Sequence, residues 1–291
     1  MIDDPCILSN GLLRAVVRDM GAELQALAIQ GGPDLLWHGD PAHWGGRSPV
    51  LFPIVGRAEG DLIAVNGREA TMAQHGFARR SRFARVAATA TSCRHRLSAS
   101  DTTRAAYPFD FQLDLIHALQ GATLSVTAEV TNSDTRPMPF GLGFHPAFLW
   151  PLPGAAGQVH YITLDNGAEP ALARLQGGLM TDMRAPSPFR DGRLAVDTAL
   201  FAEDAMLFPE GAGAGLTYQA GGAPALRFAF DGLPNLALWS KPGAPFLCIE
   251  PWHGMAATRG AGPEIAARPY SVILTPGETR RFGWLVTVGG E

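Results

Sequence analysis

Thr123-Leu124-Ser125-Val126-Thr127-Ala128-Glu129-Val130 decides the fold class of this chain. Polar and apolar residues alternate throughout, the period of a β-strand with one solvated and one buried face. Phe111 to Leu119, just upstream, is a second strand-like run, and Gln120-Gly121-Ala122 joins the two as a hairpin turn. Similar runs recur at Leu12 to Val17, Glu23 to Ile29, Ala225 to Phe230, Leu236 to Trp239 and Tyr270 to Leu274, separated by Gly, Pro, Asn and Asp. Helical periodicity is almost absent, with one short piece expected near Gly262 to Ala267. The pattern predicts an all-β, antiparallel protein with few short helices. No linker, charge block, low-complexity segment or repeat divides the 291 residues, so residues 1–291 are expected to form one domain.

Composition narrows the partners. Charged residues make up 17% of the chain and the formal net charge is −4. An acidic chain whose longest basic stretch is Arg79-Arg80-Ser81-Arg82 has no track for nucleic acid or an anionic membrane. No apolar run reaches the roughly 18 residues of a membrane span. The Met1-Ile2-Asp3-Asp4 start lacks a charged and apolar leader pattern, so a cytoplasmic location is expected. Cys6, Cys93 and Cys248 are an odd set without close spacing, which suggests reduced thiols. A chain of this length buries enough surface to need neither disulfide nor metal for stability.

Glu250 lies in the apolar run Ala244-Pro245-Phe246-Leu247-Cys248-Ile249-Glu250-Pro251-Trp252, which reads as a buried strand. Alternation puts Glu250 on the face of Phe246 and Cys248, opposite Leu247 and Ile249, and Pro251 suggests a strand end. A carboxylate so placed is desolvated, as in an ion-paired core or an active site. In Phe140-Gly141-Leu142-Gly143-Phe144-His145-Pro146-Ala147-Phe148, His145 shares a face with Gly141 and Gly143, which leaves room for a ligand or a close backbone. A packed, hydrogen-bonded histidine is the plainer alternative. Gln74-His75-Gly76-Phe77-Ala78-Arg79 reads as a loop. Arg47 and Arg57 bracket an apolar, proline-rich segment, placed either to fork onto hydroxyls or an anion or to lie along the surface. Glu203-Asp204 precedes a further apolar strand.

The series Arg47-Ser48-Pro49 through Gly56-Arg57, His75 to Arg79, Gly143 to Phe148, Asp204-Ala205 and Glu250-Pro251-Trp252 resembles the aldose 1-epimerase (galactose mutarotase) family, most closely its bacterial LacX-like branch. The resemblance runs from Asn10-Gly11-Leu12 to the closing Glu278–Val288 strand. It implies a large antiparallel β-sandwich of the galactose mutarotase type and interconversion of α- and β-aldose anomers. His145 would be the acid that protonates the ring oxygen, and Glu250 the base that takes the anomeric hydroxyl proton. His75, Arg79, Asp204, Trp252 and either Arg47 or Arg57 would bind the sugar. Such chemistry calls for one acid and one base, with no cofactor or metal. The motif Gly-Phe-His-Pro-Ala-Phe differs from the Asn-x-x-His-x-x-Phe-Asn pattern of the galactose branch, so the resemblance carries the acid residue and not the sugar preference.

Three other functions fit parts of the pattern. One is a hexose-6-phosphate mutarotase with Arg47, Arg57 and Arg79 converging on phosphate. Another is a sugar-binding or sensing protein without turnover. The third is a glycosidase pairing Glu250 with Asp204. In each the partner is a small sugar, and a monomer or homodimer is expected. His145 and Glu250 are expected to face each other across a cleft, about one sugar ring apart, with Trp150 and Trp252 available to stack on the pyranose.

Overall fold

The computed structural model describes residues 4–289; the Met1-Ile2-Asp3 start and the last two residues lie outside the described residues. Antiparallel strands dominate, and two large sheets carry the architecture. The larger has nine strands, in the spatial order Arg193–Ala195, His160–Leu164, Gly215–Ala220, Leu226–Asp231, Thr279–Val288, Thr123–Asn132, Phe111–Gln120, Ser92–Ser98 and Ala84–Ala88. The expected hairpin is present, with Leu124 opposite Leu119 and Val130 opposite Leu113. Strand limits elsewhere fall within a residue or two of those read from the sequence, and a single 3-10 turn at Ile265–Ala267 takes the place of the expected helical piece. The only α-helix among the described residues is Asp101–Ala106, started by a Ser100 capping box.

The six-stranded sheet orders Met206–Phe208, Asn235–Trp239, Phe246–His253, Leu142–Phe144 and Val50–Leu51, with Ala147–Leu149 also paired to Phe246–His253. Its inner face packs on the nine-stranded sheet: Phe148 meets Phe228 edge-on, and Phe144 and Phe148 meet Trp284. Leu247 and Ile249 belong to this shared core, whereas Phe246 and Cys248 face the other way into a separate cluster. The alternation read from the sequence therefore sorts the strand between core and site. On the outer face of the nine-stranded sheet, Arg94 and Arg96 pair with Asp114, and Arg94 and Arg281 pair with Glu129. Three of the chain's 23 basic residues are used in this ladder.

Glu250 is not at a strand end. It sits inside Phe246–His253, with Ala237 as its partner on one side. On the other side Ile249 donates to the Pro146 carbonyl, 3.1 Å. Pro251, two residues on, turns its donorless nitrogen to the same edge, where the neighbouring strand is interrupted between Phe144 and Ala147. The proline thus continues the strand without forfeiting a ladder bond.

Candidate active site

That interruption builds the site. Gly143 pairs with Trp252 and Ala147 with Cys248, and the register carried between them sets His145 opposite Glu250. Cross-strand neighbours on one face have Cβ atoms about 5 Å apart. The side chains here meet, with His145 Nε2 3.2 Å from Glu250 Oε2. They are therefore in contact, not a ring apart. The sealed ion pair that would remove them from chemistry is absent too, because both line a cavity of about 310 Å³.

Trp44 stacks on the His145 ring (centroids 4.8 Å apart, planes at 28°), and Trp239 and His75 meet it edge-on at 5.7 and 5.8 Å. Burial, above all, holds the His145 pKa down at about 3; a backbone contact opposes this and the Arg79 charge adds to it. Burial, then the Asp204 charge, raises Glu250 well above the ordinary carboxylate range. The Trp252 indole N–H favours the charged carboxylate but does not complete a hydrogen bond. Both groups are thereby pushed toward their neutral forms. His145 Nδ1 and Glu250 Oε2 have no hydrogen-bond partner among the described residues.

His75 enters from the loop through two consecutive left-handed residues, His75 (φ 66°) and Gly76 (φ 71°). A Cβ at Gly76 would stand 2.1 Å from the Phe52 carbonyl oxygen, so only glycine lets the loop pass there. The Gly56 N–H donates to His75 Nδ1 at 3.1 Å, which leaves the proton of the neutral ring on Nε2. Burial first, then neighbouring positive charge, lowers the His75 pKa well below its ordinary value. Arg268 donates to the carbonyls of Val55 (2.7 Å) and Met255 (3.1 Å) and so ties these two segments together.

Arg79 lines the cavity and donates to the Gln74 carbonyl at 2.9 Å, while its buried Nε has no partner. Burial and the Arg80 charge lower its pKa to about 10, which keeps it cationic at neutral pH. Asp204 lines the cavity from an exposed turn at φ 68°, held by Arg174 donating to its backbone carbonyl at 2.7 Å. Trp252 lines it as well.

Neither Arg47 nor Arg57 is among the lining residues. Arg47 Nη1 donates to the Gln25 carbonyl, 2.7 Å, and Arg57 forks onto Asp61 at 2.9 and 3.2 Å. Trp150 packs against Phe201 instead. The open face expected beside Gly143 is filled, since a Cβ there would lie 2.5 Å from Trp252 Cδ1. Trp44, Gln74 and Trp239 line the cavity although no pattern in the sequence singled them out. Each stands in a loop or at a strand end, and pairings remote in sequence bring them in. His145, Cys248 and Glu250 offer ligand atoms within 4.8 Å of one another. A metal ion there would occupy the lone pairs that proton transfer needs.

A family model described as aldose 1-epimerase matches residues 6–187. The chain belongs to the aldose 1-epimerase family. The protein LacX of Lactococcus lactis subsp. lactis, in its plasmid form, is 26% identical over 294 residues, covering 97% of this chain and 98% of that one. The galactose mutarotase related enzyme of Lactobacillus acidophilus superposes with a TM-score of 0.92 at 27% identity, covering 98% and 97% of the two chains. A galactose mutarotase-like protein of Lactobacillus casei ATCC 334 gives 0.91 at 26%, covering 98% and 99%. The fold is thus of the galactose mutarotase type. No helix among the described residues is long and apolar enough to cross a membrane.

Proposed function

We propose that this aldose 1-epimerase family member interconverts the α and β anomers of a neutral hexose in a single sugar-binding catalytic domain. The observation that carries the proposal is the His145–Glu250 contact, 3.2 Å, at a cavity walled by aromatic rings. The two oxygens that exchange protons in mutarotation share the anomeric carbon. The groups serving them belong side by side, which is why a spacing of one sugar ring was too wide an expectation.

Anomeric exchange needs one proton removed from the C1 hydroxyl and one delivered to the ring oxygen, and a pair holding one proton does both. With the proton of the pair passed from Glu250 to His145 across their 3.2 Å contact, Glu250 as carboxylate takes the hydroxyl proton while His145 protonates the ring oxygen, and the C1–O5 bond opens to an aldehyde. Rotation about C1–C2 and the reverse transfers close the ring on the other carbonyl face, with the two roles exchanged. Removal of water from the cavity by Trp44, Trp239 and Trp252 strengthens each transfer. His75 Nε2–H, Arg79 and Asp204 supply donors and an acceptor for hydroxyls, and the tryptophans an apolar floor for the pyranose.

Of the three arginines considered for phosphate, only Arg79 lines the cavity, and the Asp204 carboxylate would repel an anion. One observation favours the 6-phosphate alternative. A hollow of about 220 Å³ shares Trp44 and Arg79 with the cavity and adds Arg18 and Arg80, with Glu23 ion-paired to Arg18 at its wall. Polarimetry of freshly dissolved α-glucose, α-galactose and their 6-phosphates separates these cases. The proposal expects the neutral sugars to equilibrate faster with protein than without. Acceleration of the phosphates alone would transfer the assignment to them. Sugar binding without acceleration would make the chain a sensor.

A further inference from the structure

A second buried group of polar side chains lies away from the sugar cavity, where the N-terminal sheet of Cys6–Ser9, Leu13–Val17 and Leu24–Ile29 approaches an edge of the nine-stranded sheet. Cys93 and His95 are two apart on the strand Ser92–Ser98 and so point to one face. His117, on the next strand, is the direct cross-strand partner of Cys93. One ligand atom from each falls within 4.8 Å of the others, and the three residues are 2%, 0% and 2% exposed. Cys6, from the N-terminal sheet, lies within thiol hydrogen-bonding reach of Cys93. Backbone pairing alone brings these residues together, which is why their scattered positions gave no sign of it.

Packing does not require them. Leu97, Leu113, Leu115 and Leu119 fill neighbouring inward positions of the same strands with hydrocarbon. His95 Nδ1 and His117 Nδ1 have no hydrogen-bond partner among the described residues, and an unpaired polar group in a dry interior is destabilising. The Asp19 carboxylate is 3.3 Å from His95 Nε2 without completing a hydrogen bond, and stands where a second layer orients metal-bound imidazole. Arg85 is 3.3 Å from the same oxygen and balances its charge.

We propose that Cys93, His95 and His117, with Cys6 as the fourth donor, form a binding site for a zinc-type transition-metal ion. Two thiolates and two imidazoles make the closed, four-ligand set of structural zinc sites, with metal–ligand bonds of about 2.0–2.3 Å; Cys93, His95 and His117 already lie within 4.8 Å of one another, and Cys6 joins them through Cys93. On coordination each thiol releases its proton to solvent and its sulfur donates an electron pair to the ion. The site clamps the N-terminal sheet to the large one and takes no part in the sugar chemistry.

The test is cobalt loading of the full-length protein under reducing conditions, followed by zinc. The expected result is one Co²⁺ per chain with the visible absorption of tetrahedral cobalt–thiolate, bleached by an equivalent of Zn²⁺, and a melting temperature that rises with zinc. Cys93→Ser should abolish the absorption, and Cys248→Ser, in the other ligand-bearing cluster, should keep it. If Cys93→Ser does not fold, His117→Gln must show the same loss. Uptake below one ion per ten chains overturns the proposal. So does absorption lost with Cys248→Ser and kept with Cys93→Ser, which would place the ion in the sugar cavity.

Discussion

The two large sheets of this protein use the same backbone pairing for opposite ends. In the nine-stranded sheet, strands reach ten residues, and most inward positions carry the next piece of core, as in Leu124, Val126, Ala128 and Val130, with His95 and His117 among the exceptions. In the six-stranded sheet most strands are two to five residues long, and the one eight-residue strand faces a neighbour broken at His145-Pro146. Continuity buries hydrocarbon. Interruption leaves a buried histidine and glutamate facing each other at a cavity, where neither has its full hydrogen bonds. Stability and chemistry are thereby assigned to different sheets, and variants in each should move different observables.

The largest expected effect on stability lies in the continuous sheet. Phe282 is fully buried there, and Phe282→Ala should lower unfolding free energy by about 3–5 kcal/mol while leaving kcat of the folded fraction unchanged. Urea unfolding alongside anomerisation rates checks this; a kcat loss in the folded fraction would break the division between sheets. On the other side, Trp44→Ala removes the ring stacked on His145. Loss of such an aromatic contact, about 1 kcal/mol, should raise KM by several-fold, with a smaller change in unfolding than Phe282→Ala gives.

The buried histidine of the site should also make stability pH-dependent. Its folded pKa of about 3 lies below the ordinary value near 6.5, so the unfolded chain binds more protons between the two. The contribution is complete above about pH 6.5 and is lost as pH falls toward 3, at most on the order of 1 kcal/mol per pH unit. His145→Asn should therefore make the profile of unfolding midpoint against pH less steep over that window, with His117, also held at about 3, keeping part of the slope. The smallest effect is expected at Arg57, outside the cavity and tied to Asp61 on the surface. Arg57→Ala should leave kcat, KM and the unfolding midpoint unchanged, and a selective rise in KM would bring that arginine back into the sugar site.

The continuous sheet was the legible one. Alternation at Thr123–Asn132 fixes which residues face inward, because a period of two has a single register that buries leucine and valine. Glu250 was legible for a related reason, as a charge in a run whose other members are apolar. Its partner could be proposed from the family resemblance, but their contact could not, since it follows from a register set by strands more than a hundred residues apart. Trp44, in a loop, and Trp239, at a strand end, were hidden because a tryptophan in either place looks alike whether it lines a cavity or caps a core. Arg47 and Arg57 misled for the converse reason: a guanidinium beside an apolar segment satisfies itself equally well on the Gln25 carbonyl or on Asp61.

The central claim is that His145 and Glu250 work as a unit on one proton. A double-mutant cycle on anomer exchange of α-glucose and α-galactose, with folding confirmed by circular dichroism, tests it most directly. Glu250→Gln and His145→Asn should each slow exchange by about 10²–10⁴-fold, the size of a general acid–base contribution, with sugar binding retained. The double variant should be little slower than the worse single one, because neither residue transfers a proton productively without the other. A folded Glu250→Gln protein that equilibrates both sugars at the parent rate, or two losses that multiply in full, would contradict the account.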